Sequence, residues 1–258
     1  MVMIFHLFII LALISAFPPQ PGICAEPAGP RQVIVVVSES WDDSGAKLFC
    51  FERHAGMWEK VKGPFTVEVG EKGMGWGVGV AGLEPLFPLK KEGDQRAPAG
   101  VFPLLMAMGY ETDVLPGGFP YEQSGERTYC IDDPDSPLYN RIVKENVFTV
   151  PVFEPWKSFE LMKRKDDLYK WLVVVGYNME EPKPGAGSCI FMHIWRIPAR
   201  GTAGCTAMAE KDIVEIMHWL KAEDDPILAQ MPLPVYSRYW KEWRLPAPEL
   251  LVEPLEGR

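Results

Sequence analysis

The sequence predicts a mainly β protein with one or two packed helices, and three observations support this fold class. Residues 33–37 are five consecutive β-branched residues, which is typical of a buried strand. Residues 65–69 alternate apolar and polar side chains, as a half-buried strand does. The 25 prolines are spread along all 258 residues, and this disfavours long helices. A single β domain of this length is common, so one domain is expected.

Short apolar runs bounded by turn residues predict the remaining strands. These runs cover residues 47–52, 58–61, 147–150, 171–177 and 189–194. Residues 70–82 contain six glycines, but they have neither the lysine of a P-loop nor the helix that follows a dinucleotide-binding loop. We therefore predict that this segment is a connecting loop.

One helix is predicted clearly, over residues 209–222. Its apolar stripe has the i, i+3, i+4, i+7 spacing of an amphipathic helix and consists of Ile213, Ile216, Met217 and Leu220. A weaker pattern over residues 158–167 predicts a second helix. The tail from about residue 232 is rich in proline, tryptophan and tyrosine and is expected to wrap the domain surface. No linker divides the chain, so residues 26–258 are predicted to form one domain.

Residues 1–25 are predicted to be a signal peptide. The apolar run of residues 4–17 is shorter than the roughly twenty residues that span a bilayer, and it suits the hydrophobic region of a secretory signal. Ala25 supplies the small residue before a cleavage site, so the mature chain would begin near Glu26. Two alternatives stay open. One is an uncleaved anchor, which would be the chain's only membrane contact, and the other is a lipoprotein attached through Cys24.

The charge balance disfavours nucleic acid as a partner. Asp and Glu number 35 against 26 Lys and Arg, which gives a net charge of −9, whereas duplex-binding surfaces are basic. The chain has no CxxC pair, no zinc-type Cys/His spacing and no EF-hand loop, so neither a metal nor another cofactor is predicted. We expect a monomer.

Four cysteines remain after removal of the signal peptide: Cys50, Cys130, Cys189 and Cys205. In an oxidising compartment, four thiols can form two disulfides. Cys50 and Cys189 lie inside apolar runs and are interpreted as small buried hydrophobic residues.

Cys205 and His193 are the candidate catalytic pair. His193 closes an apolar run, and Cys205 follows twelve residues later, after the turn at residues 198–201. A strand, a turn and a return segment would bring the two side chains together as a thiolate–imidazolium pair with a lowered thiol pKa. Gly204 allows a close bend, so the backbone N–H groups of Ala203, Gly204 and Cys205 are predicted to hold an oxyanion.

The alternative interpretation of these residues is structural. His193 would then be a buried core histidine and Cys205 a disulfide partner. The other histidines of the mature chain carry no chemical prediction, because His54 precedes an exposed turn at Gly56 and His218 lies on the predicted helix.

Residues 187–193 (GSCIFMH), followed by TAGC at 202–205, resemble the active-site signature of the L,D-transpeptidase catalytic domain family (YkuD-type). Residues 91–102 (KEGDQRAPAGVF) resemble the Pro-X-Gly-X-Phe segment of this family in a divergent bacterial branch. Further similar segments are residues 130–134, 139–140 and 176–178. The resemblance extends from about Val33 to Leu220, and the fold that it implies is a β-sandwich with the cysteine at one end of the strands.

The function that this resemblance implies is an exported cysteine acyltransferase of the bacterial periplasm or cell envelope, acting on peptidoglycan stem peptides without a cofactor. Cys205 would attack the L,D amide between meso-diaminopimelate and D-Ala, with His193 as the base. An amine of a second stem would then form a 3→3 crosslink. Most family members carry His where this chain has Ala203, and they often carry Arg or Asn where it has Ala207. These departures leave the choice of acceptor open.

Two alternative functions remain open from the sequence. The first is a peptidoglycan L,D-carboxypeptidase or amidase, with the same nucleophile and water as the acceptor. The second is a non-catalytic wall-binding module in which Cys205 is a disulfide partner.

Overall fold

A computed structural model describes residues 29–78, 88–112, 118–144 and 156–252. The predicted signal peptide and the predicted strand at residues 147–150 lie outside the described residues. The strands are β1 (Gln32–Ser38), β2 (Gly45–His54), β3 (Met57–Glu68), β4 (Met74–Trp76), β5 (Ala97–Gly109), β6 (Tyr121–Gln123), β7 (Thr128–Cys130), β8 (Ile142–Lys144), β9 (Glu160–Leu161), β10 (Trp171–Val175), β11 (Phe191–Ile194), β12 (Thr206–Met208) and β13 (Ile227–Pro232). The helices are α1 (Glu210–Trp219) and α2 (Leu233–Tyr239), with 3-10 turns at Ala222–Asp224 and Pro248–Leu251.

The mainly β fold with few helices is confirmed. The principal sheet has the strand order β10-β11-β12-β3-β2-β1-β13-β5-β4, and β5 also pairs with β10. This return is possible because β5 is long: residues 100–103 pair with β13, and residues 104–109 pair with β10. Eight strands therefore form a closed ring. A separate small sheet has the order β8-β7-β9.

The burial pattern explains why residues 33–37 of β1 are an unbroken apolar run. All seven of its residues are buried, and it lies between antiparallel β2 and parallel β13. A strand covered on both faces gains by being apolar at every position, not at every second one.

Two hydrophobic clusters lie on opposite faces of β10. Val173 and Val175 belong to the larger cluster, whereas Leu172 and Val174 belong to a smaller one that also contains Phe191 and Cys205. Successive side chains of a strand point to opposite faces. The candidate nucleophile, Cys205, therefore packs against the residues of the smaller cluster.

The predicted helix at residues 209–222 is present as α1. Its stripe residues Ile213, Ile216 and Met217 are buried, and Glu210 and Asp212 lie in its first turn, where carboxylates favour the helix dipole. Among the described residues, no helix has the length and apolar character that crossing a membrane requires.

Several predicted elements differ from the structure. Residues 58–61 and 65–69 belong mostly to one strand, β3, and the glycine-rich loop contains β4. The predicted helix at residues 158–167 is wrong: this segment holds β9, which pairs with β7, and turns. The reason is a non-local backbone pairing that the local pattern does not reveal.

The C-terminal tail does more than wrap the surface. Tyr236 and Tyr239 of α2 are buried in the larger cluster together with Leu245 and Leu251, and Tyr239 stacks on Trp243 at a ring separation of 5.2 Å. The tail therefore completes the core, and its aromatic composition reflects packing.

Candidate active site

Adjacent strands carry the two predicted catalytic residues. β11 and β12 are parallel neighbours, with His193 opposite Ala207 and Met192 opposite Thr206. Cys205 directly precedes β12, so it is offset from His193 by two residues, about 7 Å along the strand. The arrangement is a parallel crossover and not the predicted strand, turn and return. It still places both side chains on the same face, because side chains two residues apart on a strand share a face.

A tight turn holds Cys205 in place. The Thr202 hydroxyl donates to the Cys205 carbonyl at 2.6 Å and accepts the Gly204 N–H at 3.0 Å. Gly204 has φ = +153°, and a Cβ there would lie 3.0 Å from the Arg96 carbonyl oxygen. Glycine therefore fits this position where a larger residue would be strained.

The loop before this turn is anchored by Glu68 at the end of β3. Its carboxylate accepts backbone N–H groups from Ala199, Arg200 and Gly201. Three charge-assisted hydrogen bonds hold the crossover loop against the sheet, which in turn orients the segment that carries the nucleophile.

The Cys205 thiol is buried and hydrogen-bonded. The backbone N–H of Phe191 donates to its sulfur at 3.3 Å, and the thiol donates to the Cys189 carbonyl at 3.5 Å. Burial raises the pKa of the Cys205 thiol well above its usual range, and the nearby charge of Glu160 adds to this. Cys205 is therefore protonated at rest.

His193 is buried and neutral. Its Nδ1 lies 2.7 Å from the Ile194 carbonyl oxygen, and burial lowers its pKa to about 4. A carbonyl oxygen only accepts hydrogen bonds, so Nδ1 carries the proton and Nε2 is the free basic nitrogen. Tyr169 and the imidazole pack in a T-shaped arrangement with ring centroids 5.2 Å apart.

The predicted thiolate–imidazolium pair is not present. No hydrogen bond joins the Cys205 sulfur to the His193 ring among the described residues, and burial shifts the pKa values of both groups towards their neutral forms. The sequence-based expectation of a lowered thiol pKa is wrong, because desolvation outweighs any cationic neighbour.

Two of the three predicted oxyanion donors are uncommitted. The Gly204 N–H donates to Thr202, whereas the amides of Ala203 and Cys205 make no hydrogen bond within the described part of the chain. Ala203, Gly204, Cys205 and His193 all line the same cavity.

That cavity has a volume of about 900 Å³. Three of the four Lys and Arg residues that line it are paired with carboxylates: Lys90 with Asp94 at 2.7 Å, and Arg164 and Arg196 with Asp166 at 2.8 Å each. Part of its wall is acidic and consists of Glu92, Asp132 and Glu160. The space can accommodate a peptide-sized segment beside the thiol.

Glu160 and Tyr169 are cavity residues that the sequence did not reveal. The Tyr169 hydroxyl donates to the Glu160 carboxylate, and burial raises the pKa of Glu160 to about 7. Both lie in or near the segment that was predicted to be a helix. Nothing in the local sequence marks Glu160, because its unusual ionisation depends on burial.

The remaining cysteines and histidines have structural positions. Cys130 and Cys189 form a disulfide with a Cα–Cα distance of 5.9 Å, while Cys50 and Cys205 are free. Cys189 is buried as expected, but as half of a disulfide and not as an isolated hydrophobic residue. His54 and His218 are exposed, and neither lines the cavity. In the described ranges, no three His, Cys, Asp or Glu side chains converge as metal ligands do.

Comparison with protein-family models, curated proteins and solved structures found no match to this chain.

Proposed function

We propose that the protein is an extracytoplasmic cysteine acyltransferase that resembles L,D-transpeptidases and forms 3→3 crosslinks in peptidoglycan. Cys205 attacks the amide between meso-diaminopimelate and D-Ala of a tetrapeptide stem, and D-Ala leaves. An amine of a second stem then attacks the thioester and regenerates the thiol.

One observation carries this proposal: a free thiol and a neutral histidine share one wall of a peptide-sized cavity. Cys205 and His193 lie on the same face of neighbouring strands and both line the cavity. Nucleophilic catalysis by a thiol needs a base on the same wall of the cleft, and the hydrogen bond between the Cys205 sulfur and the His193 ring would form when substrate binds.

The protonation states define how the first step proceeds. Because both groups are neutral at rest, the thiol proton moves to His193 Nε2 as sulfur attacks the carbonyl carbon, and no preformed ion pair is needed. The imidazolium then protonates the departing amine of D-Ala. The Ile194 carbonyl holds Nδ1–H at 2.7 Å and keeps the ring in the required tautomer throughout.

Stabilisation of the tetrahedral intermediate comes from the turn before β12. The N–H groups of Ala203 and Cys205 are free to donate to the developing oxyanion, whereas Gly204 serves the turn by bonding to Thr202. Loss of a single donor of this kind typically costs about 10²–10³ in rate.

The separate segments that carry the family resemblance meet around this site, which supports their interpretation as one functional unit. The Asn140 amide donates to the carbonyls of Tyr177 and Asn178 and accepts the Cys189 N–H. Tyr139 donates to Glu92 and accepts the Gly187 N–H. Residues far apart in sequence thus support the strand that leads to His193.

Product analysis with purified disaccharide-tetrapeptides tests the proposal, with Cys205→Ala as the matched control. Crosslinked dimers that depend on Cys205 support acyl transfer. Tripeptides alone would assign the chain to the hydrolases, in which water resolves the thioester. Absence of both products would contradict catalysis on this substrate and favour a wall-binding module.

A β-lactam provides an independent test of the nucleophile, because it is a strained amide that a positioned thiol should open. The resemblance implies acylation by carbapenems in preference to penicillins. We expect one carbapenem adduct per chain in intact-mass analysis, mapping to Cys205 and absent in Cys205→Ala. An adduct on Cys50 would overturn the assignment.

A further inference from the structure

We propose that the Cys130–Cys189 disulfide is a positioning element for Cys205, so that full reactivity of the nucleophile towards an acyl donor requires this pair to be oxidised. The inference rests on the proposed function for its acyl donor, but it concerns a bond that the proposed mechanism does not use.

The disulfide lies directly beside the nucleophile. Cys189 supplies the carbonyl that accepts the Cys205 thiol at 3.5 Å, and Phe191, two residues further along, supplies the N–H that donates to its sulfur at 3.3 Å. Cys130, Cys189 and Cys205 belong to one buried cluster. Any displacement of the Cys189 backbone therefore moves both hydrogen-bond partners of the reactive sulfur.

The backbone at Cys189 needs external support. Its φ is +54°, a left-handed conformation that costs energy in a residue with a Cβ. Three contacts hold it there: the Cys189 N–H donates to Asn140 at 2.9 Å, its carbonyl accepts the Cys205 thiol at 3.5 Å, and the side chain is bonded to Cys130. The disulfide is the covalent one of the three, and without it only the two hydrogen bonds remain.

The disulfide also joins the small sheet to the principal sheet. Cys130 ends β7, and its direct partner on β9 is Glu160, the carboxylate whose charge acts on the Cys205 thiol. The same bond therefore aligns the acidic wall of the cavity with the strand that leads to the catalytic residues.

The redox step is a two-electron exchange with a dithiol. Reduction cleaves the S–S bond and leaves thiols on Cys130 and Cys189. The two electrons and two protons come from the dithiol, which becomes a cyclic disulfide. Cys205 takes no part in the exchange.

The test compares the wild-type chain with Cys130→Ala/Cys189→Ala, in which only Cys50 and Cys205 remain beyond residue 25. Two rates are measured at Cys205 by peptide mapping: acylation by a carbapenem, and alkylation by iodoacetamide as a function of pH. Cys50→Ser is the matched control, because it destabilises the core while leaving the disulfide intact.

We expect acylation of the double variant to slow by about 10–10²-fold, since displacement of a reacting group by about 1 Å can cost about 10²-fold. The pH midpoint of alkylation should fall towards the ordinary thiol value of about 8.5, because a loosened Cys189 segment admits water to the sulfur. In Cys50→Ser, both quantities should stay at the wild-type values.

Wild-type rates and midpoint in the double variant would overturn the proposal. Slower acylation with an unchanged midpoint would also overturn it, because general destabilisation would then suffice. If a carbapenem fails to acylate even the wild-type chain, the proposed function is in error, and the alkylation midpoint alone decides the positioning role.

A reversible version uses the wild-type chain. Treatment with dithiothreitol, followed by removal of the reductant, should slow acylation to the rate of the double variant. Reoxidation with glutathione disulfide should restore it. The double variant should respond to neither reagent, and a response there would show that Cys205 itself is being modified.

Discussion

The two free cysteines of the described residues, Cys50 and Cys205, are alike in burial but differ in their access to a cavity and in their neighbouring groups. Both are buried thiols, and burial raises the pKa of both well above the usual range. Cys50 lies in the middle of β2, inside the larger cluster. Cys205 lies at the end of a strand beside a cavity that it shares with His193.

If Cys205 is the nucleophile, as we propose, a raised thiol pKa neither identifies nor excludes a nucleophile. Cys205 is suited to act as a nucleophile because of three further features: an N–H group donates to its sulfur, a neutral base lies on the same face of the sheet, and the cavity has space for a substrate. Cys50 is fully buried in the interior of β2 and does not line this cavity. Position at a strand end is what separates the two roles.

The largest difference between the two cysteines is expected when each thiol is removed by substitution with alanine. Cys205→Ala should lose all measurable crosslinking and all carbapenem labelling, because no other side chain can form the thioester. Its free energy of unfolding should change by no more than about 1–2 kcal/mol, as measured by urea denaturation. Cys50→Ala is the matched control and should retain activity. Residual turnover in Cys205→Ala would refute the mechanism.

Removal of the His193 side chain tests whether the histidine beside Cys205 acts as the base. His193→Ala should slow acylation by about 10²–10⁴-fold, the usual cost of losing a positioned general base. His54→Ala and His218→Ala should react at the wild-type rate, because both side chains are exposed and lie outside the cavity. The measurement is the rate of carbapenem adduct formation by intact mass. Equal rates in all three variants would exclude His193 as the base.

The pH profile refines this prediction. The pKa of His193 is lowered from 6.5 to about 4, so the ring stays basic down to that pH and acylation should fall only as the pH drops through about 4. A limb centred near 6.5 would show that the ring is solvated and not buried.

The structural role of Cys50 is tested by measuring the free energy of unfolding of Cys50 variants, and not by measuring their activity. Cys50→Ser places a hydroxyl in an apolar strand interior and should cost about 1–3 kcal/mol of unfolding free energy. Cys50→Ala separates this polar effect from lost volume. Carbapenem acylation at Cys205 should be unaffected in both, and a loss of acylation would show that the two thiols are coupled through the sheet.

The elements that could be predicted are those encoded by consecutive residues, and the elements that were missed depend on pairing between distant segments. The β-branched run of β1 and the apolar stripe of α1 are properties of consecutive residues, and both elements are present. β5 was missed because it contains Pro98, Gly100 and Pro103, and it becomes a strand through pairing with β13 and β10. β9 was mistaken for a helix because its two residues are strand only by contact with β7.

The sequence predicted which two residues form the candidate site, but it did not predict their protonation states or the neighbouring disulfide. His193 closes an apolar run and Cys205 follows a turn twelve residues later, and these two signals predicted that the side chains lie close together, although the connection between them is a parallel crossover. Their neutral protonation states depend on desolvation, and the pairing of Cys130 with Cys189 depends on the approach of two distant segments. Neither is visible in residue order. Glu160 and Tyr169 were missed for the same reason, because their burial in the cavity depends on the folded structure.

The smallest expected effect concerns a carboxylate that acts on each thiol, Glu160 on Cys205 and Glu215 on Cys50. Glu160 acts on Cys205, and its pKa is raised from 4.5 to about 7, so it is protonated in the folded chain below that pH and ionised above it. Ionised Glu160 opposes the negative charge that develops on sulfur. Glu160→Gln should therefore match the wild-type alkylation rate of Cys205 below pH 6 and exceed it above pH 7, by less than about tenfold, because one unit of pKa is a tenfold change in thiolate.

The same raised pKa of Glu160 means that the folded chain binds more protons than the unfolded chain between about pH 4.5 and 7, so this carboxyl makes stability fall as the pH rises through that window. Glu160→Gln should lack that contribution in urea denaturation series at pH 5 and pH 8. The matched control is Glu215→Gln beside Cys50, which should leave the pH dependence of Cys205 alkylation unchanged. A wild-type pH profile in Glu160→Gln would show that the acidic wall does not act on the nucleophile.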